Sequence, residues 1–259
     1  MKKILIYTAL LSCIIWGCKQ TKKISQAGVY KLDKQMVKGG TIDTTYARSQ
    51  IKIYTDDHFI YAGMAPDSSV GFGVGSYQLD TGNTIIERGI YSSRALDSAQ
   101  QFHLVVTRTD SGYTQVIPDI AVIKGKKYKM IEQYTKLPSK DTSFIDGVWK
   151  LSKTFWVKGK DTLKQTETQF KVFWGGHFMF IHRYPADAAA TKFKNGFGYG
   201  DFTLKHDTLT EEDQMTSHPM LLNRTFAIKI TFNGSDEYSQ VINDAKTHEQ
   251  TTEIYRRVK

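Results

Sequence analysis

The chain has 259 residues, is 40% hydrophobic and 12% aromatic, and carries a formal net charge of +9. It holds two cysteines, Cys13 and Cys18, and none beyond them, which excludes a disulfide framework, a thiolate zinc site and a cysteine nucleophile in the folded part. The positive charges are scattered, with no basic run longer than Lys124–Lys129, so they read as a solvated surface mildly drawn to membrane headgroups and not as a nucleic-acid stripe.

Lys2 and Lys3 form a basic start, Ile4 to Trp16 an apolar stretch, and Gly17-Cys18 leads into the polar "KQTKK". This is the pattern of a secretory signal peptide, too short and too soon charged for a stable spanning helix. Ile15-Trp16-Gly17-Cys18 resembles the bacterial lipobox, and the resemblance implies cleavage after residue 17 and lipidation of Cys18. "LLSC" is a second match, but cleavage before Cys13 would leave Ile14, Ile15 and Trp16 in the mature tail. Two or more acyl chains hold a protein stably on a bilayer. The expectation is an exported protein, lipid-anchored in a bacterial cell envelope on its periplasmic or outer-membrane face, with residues 18–27 as lipidated cysteine and tether.

Beyond the tether the chain repeats itself. Gly28-Val-Tyr-Lys-Leu is answered by Gly147-Val-Trp-Lys-Leu, "QIKIYTDDHFIY" from Gln50 by "QFKVFWGGHFMF" from Gln169, and Phe72-Gly-Val-Gly-Ser-Tyr77 by Phe197-Gly-Tyr-Gly-Asp-Phe202. Tyr113-Thr-Gln-Val-Ile117 is answered by Tyr238-Ser-Gln-Val-Ile242, and Glu132-Gln-Tyr134 by Glu253-Ile-Tyr255. Matches kept in this order mark a tandem duplication, with units at 28–136 and 147–259 and a linker at 137–146. Within each unit the pattern is strand, polar turn, strand. Ile51 and Ile53 alternate with Lys52, and hairpin turns stand at Asp56-Asp57, Gly175-Gly176, Asp110-Ser-Gly and Asn233-Gly-Ser. The predicted fold class is all-β, about eight to ten antiparallel strands per unit, closed into two tandem up-and-down barrels that leave no free edges.

Gly147-x-Trp149 on a first strand, with Arg256 or Arg257 on the last strand of the same unit, resembles the lipocalin signature. The resemblance implies that Trp149 closes one end of the barrel and the arginine packs across its indole. Unit one keeps Gly28 but has Tyr30 in place of the tryptophan, with Lys136 as its nearest cation. The ordered set of motifs is similar to the lipocalin-like domains of bacterial lipoproteins, over essentially the whole mature chain, and a barrel of this kind hosts many functions.

Candidate chemistry is sparse. His58 and His177 occupy equivalent places after a hairpin turn, where a histidine either meets a ligand or fixes its own loop. On a strand, His177, Met179, Ile181 and Arg183 share one face, and Phe178, Phe180, His182 and Tyr184 the other. Neither a metal-ligand spacing nor a nucleophile motif appears, so no metal, cofactor or catalytic residue is expected. Gly73 with Gly75, and Gly198 with Gly200, lack the helix a phosphate loop needs; they suit a strand whose bare face receives an aromatic ring or bends sharply.

The expected function is therefore non-catalytic binding of a small apolar or amphipathic molecule. Trp156, Phe173, His177, Phe180 and Arg183 are the candidate mouth or lumen residues of unit two, and Tyr54, His58 and Tyr61 those of unit one. A module that binds an envelope protein or glycan is the alternative, and a hydrolase or isomerase the third. The discriminator is the lumen: a cavity of roughly 300 Å3 favours a ligand, a filled barrel a partner.

Overall fold

The computed structural model describes residues 25–80, 83–94, 100–123, 125–140, 142–158, 161–164, 167–187, 189, 191–243 and 249–259. The signal sequence with Cys13 and Cys18, and the tether as far as residue 24, lie outside them. Among the described residues there are eighteen strands and no helix.

The first unit comprises β1 (Gly28–Gly39), β2 (Ile42–Tyr46), β3 (Ser49–Tyr54), β4 (His58–Met64), β5 (Val70–Leu79), β6 (Thr84–Ser92), β7 (Gln101–Thr109), β8 (Gly112–Ile123) and β9 (Lys126–Lys136). The second comprises β10 (Gly147–Lys158), β11 (Asp161–Lys164), β12 (Thr168–Trp174), β13 (His177–Pro185), β14 (Phe193–Lys205), β15 (Thr208–Thr216), β16 (Thr225–Phe232), β17 (Glu237–Asn243) and β18 (Gln250–Arg257). β3 to β9 pair in chain order, and β1 pairs with both β3 and β9; β10 closes on β12 and β18 in the same way. The result is two closed eight-stranded antiparallel barrels. Closure leaves no unpaired edge around either barrel, and β2 and β11 add short flaps along the far halves of β1 and β10.

Hairpin chemistry sets the register. β12 and β13 meet at the tight turn Gly175-Gly176, with φ of +56° and +82°, and pair from Trp174↔His177 to Thr168↔Arg183. The paired glycines of β5 and β14 follow from close approach. At the shift between Tyr199 and Gly200, a Cβ on Gly200 would stand 1.7 Å from the Glu212 carbonyl oxygen; at the matching shift after Val74, one on Gly75 would stand 2.0 Å from the Arg88 carbonyl oxygen. Gly73 and Gly198 lie instead under the rings of Tyr61 and Phe180. The two sequence readings of this motif, a flat aromatic and a sharp bend, each hold at one glycine of the pair.

Alternation along β3 splits its residues between two buried faces. Tyr54 looks into the lumen with Tyr30, Tyr77, Tyr113 and Tyr134, while Ile51 and Ile53 look outward into a core shared by both barrels. That shared core joins Val29, Ile51, Ile53, Ile60, Ala62, Phe72 and Val74 to Val148, Phe170, Val172, Met179, Ile181, Phe197 and Tyr199. The two lists are the same seven positions of the repeat. Tyr91 stacks on Phe170 at 5.7 Å, and the Asn195 amide donates to the Ser93 carbonyl. The same patch on each copy therefore covers the other, the arrangement of a two-fold dimer written into one chain.

Candidate functional site

Each barrel has a sealed end. The Trp149 indole N–H donates to the Ile145 carbonyl at 2.8 Å, and the Tyr30 hydroxyl donates to the Gln26 carbonyl at 3.0 Å from the equivalent place. The Arg257 guanidinium lies 4.1 Å over Trp149 and donates to the carbonyls of Asp146 and Ser235. Arg256 faces the other way and pairs with Glu237 at 3.0 Å, because Tyr255 and Arg257 share the inner face of β18. Arg256, expected from the sequence as the barrel-closing arginine, is therefore not the residue on the indole; Arg257 is. Gly28 and Gly147 admit the closing cation: a Cβ there would meet Lys136 and Arg257.

Deeper in the lumen lies a feature that motif searching passes over, a buried polar cluster repeated in both barrels. In the first barrel the Lys52 ammonium pairs with Glu87 at 2.6 Å, and the Tyr54 hydroxyl donates to the same carboxylate. Glu132 accepts from Gln35 at 2.6 Å, Gln115 at 2.5 Å and Tyr134 at 3.0 Å, and Gln50 donates to Tyr134 at 2.6 Å. Aromatic faces enclose the ammonium, with Tyr54 at 4.9 Å and Phe59 at 5.4 Å. Every charge has a partner, as burial demands.

The second barrel keeps the plan and opens it. Lys171 pairs with Glu211 at 2.6 Å beside Phe173 and Phe178, Glu253 accepts from Gln240 at 2.6 Å and Tyr255 at 2.7 Å, and Gln169 donates to Tyr255. Thr154 stands where the first barrel has Gln35, so Glu253 lacks its third donor. Asp213 stands where the first barrel has Gly89. Thr154 Oγ1, Asp213 Oδ1 and Gln240 Oε1 are buried without a hydrogen-bond partner, on residues only 2 to 3% exposed. Burial, and then the charge of Glu211, push the Asp213 carboxyl up to about 7, with Lys171 pulling the other way. Burial likewise raises the Glu253 carboxyl.

Above Asp213 the mouth of the second barrel carries Glu167, His182, His218 and Tyr184. His182 Nε2 lies 2.8 Å from His218 Nε2, and its Nδ1 lies 3.4 Å from Glu167. Burial, and then the charge of His182, hold His218 below the usual imidazole range. Gly196 makes the space: a Cβ there would sit 2.3 and 2.5 Å from the two Nε2 atoms. The first barrel has Arg48, Gly63 and Arg94 at the places of Glu167, His182 and His218. Arg48 and Arg94 both act on Tyr61, whose hydroxyl burial raises to about 12. One mouth is therefore cationic, the other acidic and imidazole-lined. Cavities of about 240 and 130 Å3 lie at the first barrel, the larger lined by Lys38, Gly39, Pro118, Asp119, Lys127, Tyr128 and Lys129; both fall short of the roughly 300 Å3 that would by itself favour a ligand.

The residues named from sequence fall in different places. Tyr54, Tyr61, Phe173 and Phe180 face their lumens, and Trp156 is half-buried at the mouth on the strand face of Thr154. His58, His177 and Arg183 lie on outer faces. His58 Nδ1 meets Asp57 at 2.7 Å, and its backbone N–H donates to Thr55, fixing its own hairpin. His177 donates from Nε2 to the Pro138 carbonyl at 2.8 Å, tying the linker to β13, while its Nδ1 lies 2.9 Å from Asp201. Arg183 stacks on Phe193 at 4.7 Å. The polar cluster itself did leave a trace, since Gln50 and Lys52, Gln115, and Glu132 with Tyr134 all recur inside the repeated blocks.

No known family profile matches the chain, and no curated protein matches it. Among solved structures, it is similar to a crystal structure of a protein of unknown function from the DUF3598 family of Nostoc punctiforme. That similarity runs at 10% identity and a TM-score of 0.28, over 90% of this chain and 96% of the other.

Proposed function

We propose that this is a lipid-anchored protein of the bacterial cell envelope whose lipocalin-like second barrel binds a small amphipathic molecule without transforming it. The observation that carries this reading is that Thr154, Asp213 and Gln240 each hold an unpartnered, buried polar atom, where the first barrel's Gln35 and Gln115 both donate to Glu132. An unmade hydrogen bond at such depth costs about 1–3 kcal/mol, a cost that a ligand entering the lumen would offset. The half-buried Phe180 and Trp156 supply the apolar side of the site.

Native mass spectrometry of the chain without its first 18 residues, purified from its own envelope extract, is expected to show a reproducible bound mass that Asp213→Asn weakens. A bare chain across preparations overturns the reading in favour of a module that binds an envelope protein or glycan through its surface. The Glu167–His182–His218 relay favours a second reading, a hydrolase or isomerase, because imidazole and carboxylate do meet there. Turnover of any ester or isomerisable probe that His182→Ala abolishes would establish it instead.

A further inference from the structure

Each barrel already shows how this chain holds an ammonium away from water. Lys52 sits between the Glu87 carboxylate and the rings of Tyr54 and Phe59; Lys171 sits between Glu211 and the rings of Phe173 and Phe178. The recipe is one carboxylate plus aromatic faces, combining ion pairing with cation–π attraction. The second barrel brings a further carboxylate and a further ring together, with no lysine between them. Asp213 Oδ1 and Phe180 Cε1 both close on the bare Cα of Gly198, at 2.6 and 2.3 Å from where its Cβ would stand.

We infer that Asp213 and Phe180 form a seat for the protonated amine of a small amphipathic ligand, entering past His182 and His218. The inference rests on the ligand-binding reading of the second barrel and specifies the ligand's charge. Three features support a cation over an anion or a neutral alcohol. The free atom of Asp213 and that of Gln240 are acceptors, and an alkylammonium brings three donors and no acceptor. Around Lys171 stand three carboxylates, Glu211, Asp213 and Glu253, against the two, Glu87 and Glu132, in the cluster of Lys52, so the second barrel has one carboxylate more for a second cation to balance. At the mouth, Glu167 occupies the place of Arg48, so the approach is acidic where the first barrel's is basic.

The groups facing Asp213 and its entrance are Glu211, Lys171, Glu253, Glu167, His182 and His218. A cation favours the ionised carboxylate, so amine binding releases the proton that burial keeps on Asp213 below neutrality. Affinity therefore rises with pH between about 6 and 8.

The test is calorimetric titration of the tether-free chain with octylammonium, octanoate and octanol, three probes of equal chain length. Octylammonium is expected to bind at least tenfold more tightly than the other two, to weaken about tenfold between pH 8 and 6, and to lose at least tenfold in Asp213→Asn. Asp213→Glu is expected to retain binding, and Arg48→Ala in the first barrel to leave it unchanged. A preference for octanoate or octanol that depends on the second barrel overturns the amine and leaves the ligand-binding reading standing. No binding of any probe to a chain that also comes bare from its envelope overturns both. Octylammonium binding equal in Asp213→Asn and wild type, with thermal melts showing both folded, means an adventitious additive only and overturns the seat.

Discussion

Lys171 and Glu211 are each within a few per cent of full burial and are joined at 2.6 Å. A lone charge at that depth is costlier than the pair or than its absence. Lys171→Met is expected to lower the unfolding free energy by about 3–5 kcal/mol, and adding Glu211→Leu to recover a large part of it, as denaturant melts would show. Asp213 carries the pH dependence. Its carboxyl is raised to about 7 by burial and by Glu211, so between about pH 4 and 7 the folded chain holds a proton that the unfolded chain has lost. Stability must then fall as pH rises through that window and level off above it, with buried Glu253 contributing in the same direction. Asp213→Asn should remove Asp213's share of the slope and leave that of Glu253, with the variant level with wild type near pH 4 and about 4 °C or more higher in Tm at pH 8.

At the scale of the strand, the glycines divide into those that the fold requires and those it merely tolerates. A Cβ on Gly200 would meet the Glu212 carbonyl oxygen at 1.7 Å, a backbone atom that cannot swing aside, whereas one on Gly89 would find nothing nearer than 3.9 Å. Gly200→Ala is expected to cost more than about 2 kcal/mol, and Gly89→Ala to change stability by less than about 0.5 kcal/mol in the same melt. Strand order, hairpin turns and the repeated Gly-x-Gly were legible in the sequence because turn chemistry and close approach are local requirements. The partner of each bare face was not: Tyr61 and Phe180 reach Gly73 and Gly198 only through strand pairing, and the closing arginine could be chosen only once β18 had its twist and register.

Across the whole molecule, seven positions of one unit cover the same seven of the other. An isolated first barrel, residues 25–140, would expose Ile51, Ile53, Ile60 and Phe72 together, a patch of the kind that seeks a partner. It is expected to form a dimer by light scattering, and Ile60→Asp to abolish the dimer; a monomeric parent would count against an interface equivalent in both copies. In the full chain, Met179→Lys is expected to split one calorimetric transition into two, since a buried charge at the seam costs several kcal/mol and uncouples the barrels.

The amino-acid sequence by itself determined the duplication, the β class, the closure into two barrels and the hairpins, because repeat spacing, alternation and turn residues are properties of the chain. Only the tertiary structure decided which face of each strand points inward. Ile51 and Ile53 alternate with Gln50, Lys52 and Tyr54, and a period of two tells which residues share a face but not what covers it. Here both faces are covered, one by the lumen and the other by the second barrel. The apolar face therefore went to the seam, and the lysine, glutamine and tyrosine went inward, where Glu87, Glu132 and their counterparts Glu211 and Glu253 could satisfy them. The unmatched Asp213 emerged the same way, as an excess charge visible only once its neighbours were in place.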